Sequence, residues 1–374
     1  MTDKPAQAAA RYARHLGLPG FGIEAQARLA ASHVLVVGAG GLGSPVLAYL
    51  AAAGVGTITV MDDDTVAVSN LQRQVLFGGS DLGRPKVDVV EERLRELNPE
   101  VRVVTVRARL TEHNATGLVA WADVVVDCSD NFPTRYLVND ACARAGKPCV
   151  WASVHEMSGQ ASVWWAGRGP CYRCLHPLAP PPGVFAACGD TGVLGAVCAV
   201  IGGLQATEAI KVLTGVGTPL LGKVSLYDAY TGEWSTTAVN ADPGCASCGA
   251  TARVPSPVAE TPDAAWGREI DASEVRRMLA DGEAVTLVDC REAGAGGLPT
   301  IEGSVTVGLS RALDGDASLE TMSGTVVVCC AFGVSSRLLA GALAERGARA
   351  FSLRGGLAEW HATQTKPQTQ RSTS

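Results

Sequence analysis

Unbroken apolar runs punctuate this chain, separated by stretches in which apolar residues recur at helical spacing. The first run, Val34–Val37, has no polar alternation and reads as a strand buried on both faces. It enters Gly38, Gly40 and Gly43 at G-x-G-x-x-G spacing, after which Pro45 and an Ala/Leu-rich run to Ala53 predict a helix that Gly54 ends. Thr57–Met61 reads as a second strand, Lys86–Leu97 as a helix and Asp123–Asp127 as a third buried strand. An apolar helix follows over Val193–Leu213. Its greasiest part, Gly192–Leu204, is shorter than a membrane span and runs into Gln205, Glu208 and Lys211, which points to a buried helix and away from a membrane.

Thr251–Ala265 shifts to Pro, Ala, Thr and Ser with no hydrophobic period, as a linker does. Beyond it a smaller pattern predicts helix Ala272–Asp281, strands Val285–Asp289 and Thr325–Cys330, helix Ser335–Arg346 and strand Ala350–Leu353. The class is therefore α/β: a Rossmann-like nucleotide-binding domain with a mostly parallel sheet, then a second, smaller α/β domain. Expected boundaries are 1–250, a linker at 251–267, a second domain at 268–362 and a disordered polar tail at 363–374.

Composition narrows the partners. A formal net charge of -6 gives no support to a nucleic-acid surface. The first sixteen residues lack the apolar core and cleavage pattern of a signal peptide, so a cytoplasmic location is expected. Twelve cysteines in that compartment call for explanation as metal ligands, nucleophiles or core residues, not as a disulfide framework.

The glycine turn, facing a helix N-terminus, suits a phosphate-bearing ligand. Asp62, at the end of the second strand, stands where βαβ units hold ribose hydroxyls, or is a plain polar strand end. Arg73 in SNLQRQ and Lys86 at a helix start are the cations a triphosphate, with about four negative charges, requires. Either alone is more often a surface charge than a ligand; together with the glycines they favour a nucleoside triphosphate over NAD. Asp130 and Asn131, after the third strand, face the same crevice, and Asp130 is a candidate Mg²⁺ ligand; an Asx-type turn before Pro133 is the alternative.

The pairs Cys171/Cys174 and Cys245/Cys248 offer the four thiolates of a structural zinc site, which would tie two distant segments together; redox dithiols are the alternative. Cys188 ends a Pro-rich loop without apolar periodicity and reads either as an exposed reactive thiol or as an inert one. Cys330 is delivered by a strand to a six-residue loop, CAFGVS, whose backbone N–H groups would stabilise a thiolate or persulfide. A core cysteine in an ordinary turn is the competing reading, and strand register favours Cys330 over its neighbour Cys329.

The stretches RYARHL, VVGAGGLG, DDDTVAVSNLQRQ, GRPK, CSDNFPTR, CYRC, GVLGAV, LQATEAIK and CASC, in this order, resemble the MoeB/ThiF superfamily, bacterial relatives of ubiquitin-activating enzymes. VDCRE, IEGSV, the Cys330 loop and LRGGLAEW resemble a rhodanese domain, and the order of the two is similar to fused adenylyltransferase/sulfurtransferases of the MoeZ type. The resemblance implies an ATP and Mg²⁺ site in which Gly41 lies against phosphates and Asp62 against ribose, lined by Ser69, Asn70, Leu71, Gln72, Arg73, Lys86, Asp130 and Asn131. It implies Zn²⁺ on the four cysteines, and a homodimer in which Arg14 reaches in from the neighbouring subunit. From the residues alone Arg14 reads as part of a solvated basic face.

The implied substrate is a ubiquitin-like sulfur carrier protein ending in Gly-Gly, adenylylated at its terminal carboxylate and then converted to a thiocarboxylate. Cys330 would carry the persulfide, supplied by a cysteine desulfurase or other persulfide donor, and Cys188 matches the cysteine that in some members joins to the carrier. One departure stands out: rhodanese loops commonly carry arginine after the cysteine and again late in the loop, where this chain has Ala331 and Ser335. Competing readings are adenylylation of a peptide or free acid, with the second domain a non-catalytic docking module, and a NAD-dependent dehydrogenase.

Overall fold

The computed structural model describes residues 10–178, 192–249, 252, 267–291, 298–313, 319, 324–330 and 333–363. The chain divides into two compact units, one holding the first 179 residues and Val193–Val258, the other holding the C-terminal part from Ala259.

The first unit is built on eight strands: β1 His33–Val37, β2 Thr57–Met61, β3 Arg102–Val106, β4 Val124–Asp127, β5 Cys149–His155, β6 Ser158–Trp164, β7 Lys223–Asp228 and β8 Glu233–Ala238. Their order is β3-β2-β1-β4-β5-β6-β7-β8. Pairing is parallel from β3 through β5 and antiparallel beyond. The unbroken apolar character of β1 has a direct cause. Val34 and Val36 enter a core shared with helices Gly43–Ala53 and Gly195–Thr214, while Leu35 and Val37 enter a second core on the opposite face.

β1 lies between β2 and β4, so the chain leaves it toward one side and later returns on the other. The carboxyl ends of β1 and β4 consequently open a crevice, the place where open α/β sheets bind ligands. Helix Gly195–Thr214 is long and apolar enough to cross a membrane by length and composition. It matches the predicted Val193–Leu213 closely, starting two residues later and ending one later, and so continues through Gln205, Glu208 and Lys211. All three are accommodated: Gln205 donates to the carbonyl of Asp127 at 2.9 Å, and buried Glu208 accepts the backbone N–H of Leu220 at 2.7 Å and pairs with Lys211.

The second unit is an all-parallel sheet of β9 Arg268–Ile270, β10 Val285–Asp289, β11 Val305–Thr306, β12 Thr325–Cys329 and β13 Arg349–Leu353, in the order β11-β10-β12-β13-β9. β12 repeats the logic of β1. Val326, Val328 and Cys330 pack into one core, and Val327 and Cys329 into the other.

Candidate active sites: a glycine turn, a four-cysteine cluster and a buried thiol

The three motif glycines do different work. Gly38 has φ +96°, and a Cβ there would meet the Cys128 carbonyl oxygen at 2.9 Å, so β4 approaches too closely for a side chain. A Cβ on Gly43 would lie 2.2 Å from the oxygen of Gly38, so the helix Gly43–Ala53 can start where it does only without one. Gly40 is open by comparison, since a Cβ there would meet nothing nearer than the Gln74 amide at 3.6 Å, and one on Gly41 would meet the Cys198 sulfur at 3.0 Å and the Arg73 side chain at 3.4 Å. A backbone surface beside a guanidinium is what a phosphate chain would meet here.

Asp62 closes the turn from β2. Its carboxylate accepts the backbone N–H of Ala39 at 2.8 Å and that of Asp64 at 2.9 Å. Burial pushes its carboxyl above the ordinary aspartate value, opposed by the charge of Lys86 and by these N–H groups. Lys86 is itself buried, and its ammonium holds Asp64 at 2.9 Å. Asp64 is largely exposed, a partner that can swing away. Arg73 donates to the Ser69 carbonyl at 2.9 Å, Asn70 accepts from Ala67 N–H at 3.1 Å, and Gln72 reaches the Val193 carbonyl at 3.5 Å. Leu71 is half-buried against the core of the unit.

Beyond β4, Asp130 is exposed at the mouth of the crevice. Asn131 caps the helix Phe132–Ala145 by accepting Thr134 N–H at 3.0 Å, so the Asx turn named as an alternative does form. Behind them Asp127 is buried, accepting Ser129 N–H at 3.0 Å and its hydroxyl at 2.6 Å; burial raises its carboxyl above the usual range. Arg14 is exposed on the short helix Ala13–Leu16. Tyr12, two residues earlier, packs its ring on Gly54, at the far end of the helix that the glycine turn begins. Eleven residues of helix, about 16 Å, separate that end from the glycine turn.

The four cysteines come together from segments far apart in sequence. Sulfur separations are 3.5 Å for Cys171–Cys245, 3.9 Å for Cys171–Cys174 and 3.4 Å for Cys174–Cys248, with all four sulfurs within 4.8 Å of one another. A tetrahedral ion with sulfur at about 2.3 Å requires edges of about 3.8 Å, so the donor set and spacing suit zinc. The first pair opens a helical turn, Tyr172–Leu175, where the sequence had suggested only a turn. The support came with no sequence signal. Asp140 takes a bidentate pair of 2.8 Å bonds from buried Arg173 and a bond from Ser247, and Asn139 accepts Tyr172 N–H at 2.8 Å. Helix Phe132–Ala145 thus joins the crevice at the ends of β1 and β4, at its start, to both cysteine knuckles.

In the second unit Cys330 stands just past the end of β12, buried, with its sulfur accepting Gly333 N–H at 3.1 Å and 3.4 Å from the Ser336 hydroxyl. The helix starts at Val334, so the turn is shorter than the six-residue loop expected; residues 331–332 lie outside the described residues. Cys329 faces the opposite core, and burial, with the nearby charge of Asp289, pushes its thiol up to about 12. Cys188 lies outside the described residues, as do most of the linker and tail.

Residues 12–247 match the ThiF family and residues 271–363 the rhodanese-like domain. The chain is 40% identical to a probable adenylyltransferase/sulfurtransferase MoeZ of Mycobacterium tuberculosis, over 96% of this chain and 94% of that protein. It is 50% identical to a sulfur carrier protein adenylyltransferase of Thermus thermophilus, over 64% of this chain and 90% of that one. Among solved structures, E. coli MccB with ATP superimposes with a TM-score of 0.56 at 27% identity, covering 64% of this chain and 74% of that one. The chain therefore belongs to the ThiF family, carries a C-terminal rhodanese-like domain, and is an adenylyltransferase and sulfurtransferase.

Proposed function

We propose that this protein adenylylates the Gly-Gly carboxylate of a small ubiquitin-like sulfur carrier and converts it to a thiocarboxylate with sulfur borne on Cys330. The observation that carries this reading is that one polypeptide joins a cation-flanked glycine turn to a thiol held by a backbone N–H. A carboxylate activated by the first has a sulfur nucleophile waiting in the second. The name of the Thermus relative states a sulfur carrier as its substrate.

In the first step the carrier carboxylate attacks the α-phosphorus of ATP, and the bond to pyrophosphate breaks. Gly38, Gly40 and Gly43 shape the turn, Gly41 lies against the phosphates and Asp62 takes the ribose. Ser69, Asn70, Leu71 and Gln72 line the nucleotide. Arg73 and Lys86, with Arg14 from a second copy in a homodimer, stabilise the charge that develops on the phosphates. Lys86 reaches them by exchanging Asp64 for phosphate oxygen. Asp130, with Asn131 beside it, would hold Mg²⁺, which supplies further neutralisation of the phosphate charge.

In the second step the terminal sulfur of a Cys330 persulfide attacks the acyl carbon and AMP leaves, giving an acyl disulfide whose S–S bond a thiol then cleaves to release the thiocarboxylate, with Cys188 as the thiol that can hold the carrier covalently. A cysteine desulfurase or another persulfide donor recharges Cys330 in the cytoplasm. The alternative, activation of a peptide, is favoured by the likeness to MccB, solved in complex with N-formylated MccA. Exchange of labelled pyrophosphate into ATP separates the two. The proposal expects exchange only when a Gly-Gly-ending carrier is added, and its loss in Arg73→Ala; exchange supported by free peptides without a carrier would contradict it.

A further inference from the structure

A second thiol lies against Cys330. Cys290 follows β10 as Cys330 follows β12, and the parallel register pairs Asp289 with Cys329, so the two cysteines occupy the next matched positions. The N–H of Cys290 donates to the Cys329 carbonyl at 2.9 Å, which holds that register to the strand ends. Both side chains enter the same core and are 1% exposed. Adjacent strands lie about 4.8 Å apart, inside the roughly 4.4–6.8 Å that a disulfide spans between Cα atoms. The Cys290 thiol is hydrogen-bonded to Cys330, and this bond together with burial keeps its proton on. Cys329, one residue away, is turned to the other face and cannot substitute.

We infer that Cys290 is the resolving thiol of the second unit, discharging a sulfur-loaded Cys330 by forming a Cys290–Cys330 disulfide. The inference rests on the reading of Cys330 as the sulfur-bearing residue. Cys290 sulfur attacks Cys330 Sγ, the bond from Cys330 Sγ to the outer sulfur breaks, and the Cys290 proton passes to the leaving group. With a bare persulfide the leaving group is bisulfide. With the carrier attached as an acyl disulfide it is the finished thiocarboxylate, which ionises after departure. The persulfide sulfur is reduced and the two thiols are oxidised, so no external oxidant enters. A dithiol reductant then restores both cysteines. A bridge across neighbouring parallel strands is strained, hence easily reduced and suited to turnover.

The test uses the full-length protein under anaerobic conditions, loaded with inorganic polysulfide, freed of excess and followed by intact mass and peptide mapping. Wild type is expected to lose the added sulfur as bisulfide and to yield a Cys290–Cys330 cross-linked peptide. Cys290→Ala, and Cys290→Val to keep the core filled, are expected to retain the added sulfur on Cys330 with a lifetime at least tenfold longer. Cys329→Ala is expected to behave as wild type. A persulfide equally long-lived in wild type and both Cys290 variants, or a cross-link from Cys330 to another cysteine, would overturn the inference while leaving Cys330 as sulfur carrier. Failure of Cys330 to take up sulfur in any form would overturn both readings.

Discussion

At the residue scale, identical residue types in this chain carry unlike burdens. Gly43 and Gly40 are both motif glycines, yet a methyl on the first would strike the Gly38 carbonyl while one on the second meets nothing closer than 3.6 Å. Gly43→Ala is accordingly expected to destabilise the first unit by about 1–3 kcal/mol, the usual magnitude of forced overpacking. Gly40→Ala should leave stability within about 0.5 kcal/mol and, in the proposed ATP site, weaken ATP binding, because its methyl would stand where the phosphates are proposed to approach. Thermal unfolding with and without ATP distinguishes them; equal destabilisation would contradict the assignment. The glycine spacing was legible in the sequence, but this division of labour was not, because it depends on how near β4 comes.

Asp289 supplies the pH dependence. Burial opposes its charge, but hydrogen bonds from the Arg291 side chain and backbone outweigh that and hold its carboxyl below the ordinary aspartate value. Between the two values the unfolded chain binds a proton that the native one does not, so stability rises with pH there and is level above. The stabilisation is therefore present above the ordinary aspartate range and lost as pH falls through the lowered value. Urea unfolding across acid pH should show this limb in wild type and a shallower one in Asp289→Asn; identical slopes would refute it.

At the scale of elements, the parallel strands β3, β5, β9 and β11 escaped the sequence reading, whereas β1, β2, β4, β10, β12 and β13 were readable as apolar runs. The antiparallel half was not. Every residue of β8 is exposed, and β7 mixes buried and exposed positions, so neither presents a run that announces a strand. The four zinc-type cysteines were readable from their spacing, whereas Asn139 and Asp140 sit in a helix with nothing to mark them. Their role can be measured. Asp140→Asn leaves buried Arg173 without its carboxylate and should destabilise the first unit by about 3–5 kcal/mol. Metal analysis should find one zinc per chain, and a strong chelator should lower the unfolding temperature of wild type; no zinc, or no effect of removing it, would contradict the site.

The Cys330 turn yields a second prediction at this scale. Without arginine at positions 331 and 335, thiosulfate lacks the cations that commonly hold it, while a protein persulfide delivers neutral or singly charged sulfur by its own docking. Persulfide donors should therefore load Cys330 at least tenfold faster than thiosulfate under matched conditions. Comparable rates would show that other groups supply the missing charge. Cys290 escaped the sequence reading for a plain reason: only the β10–β12 register reveals that a cysteine from VDCRE lies beside one from the CAFGVS turn.

At the scale of the whole molecule, the chain joins a ThiF-family unit to a rhodanese-like unit, each compact in itself. Neither unit alone makes the product proposed. In the reading proposed, the glycine turn alone would form an acyl-adenylate that water would waste, and the Cys330 turn alone would hold sulfur with no activated carboxylate to receive it. In the reading proposed above, Arg14 of a second copy completes the first site. The direct measurement is intact mass spectrometry of a Gly-Gly-ending carrier after incubation with the full-length protein, ATP, Mg²⁺ and a cysteine desulfurase with cysteine. The account predicts replacement of one carboxylate oxygen by sulfur, abolished by Arg73→Ala and, with the desulfurase as sole sulfur source, by Cys330→Ala. A carrier that leaves unchanged, or a thiocarboxylate that forms equally well without Cys330, would contradict it.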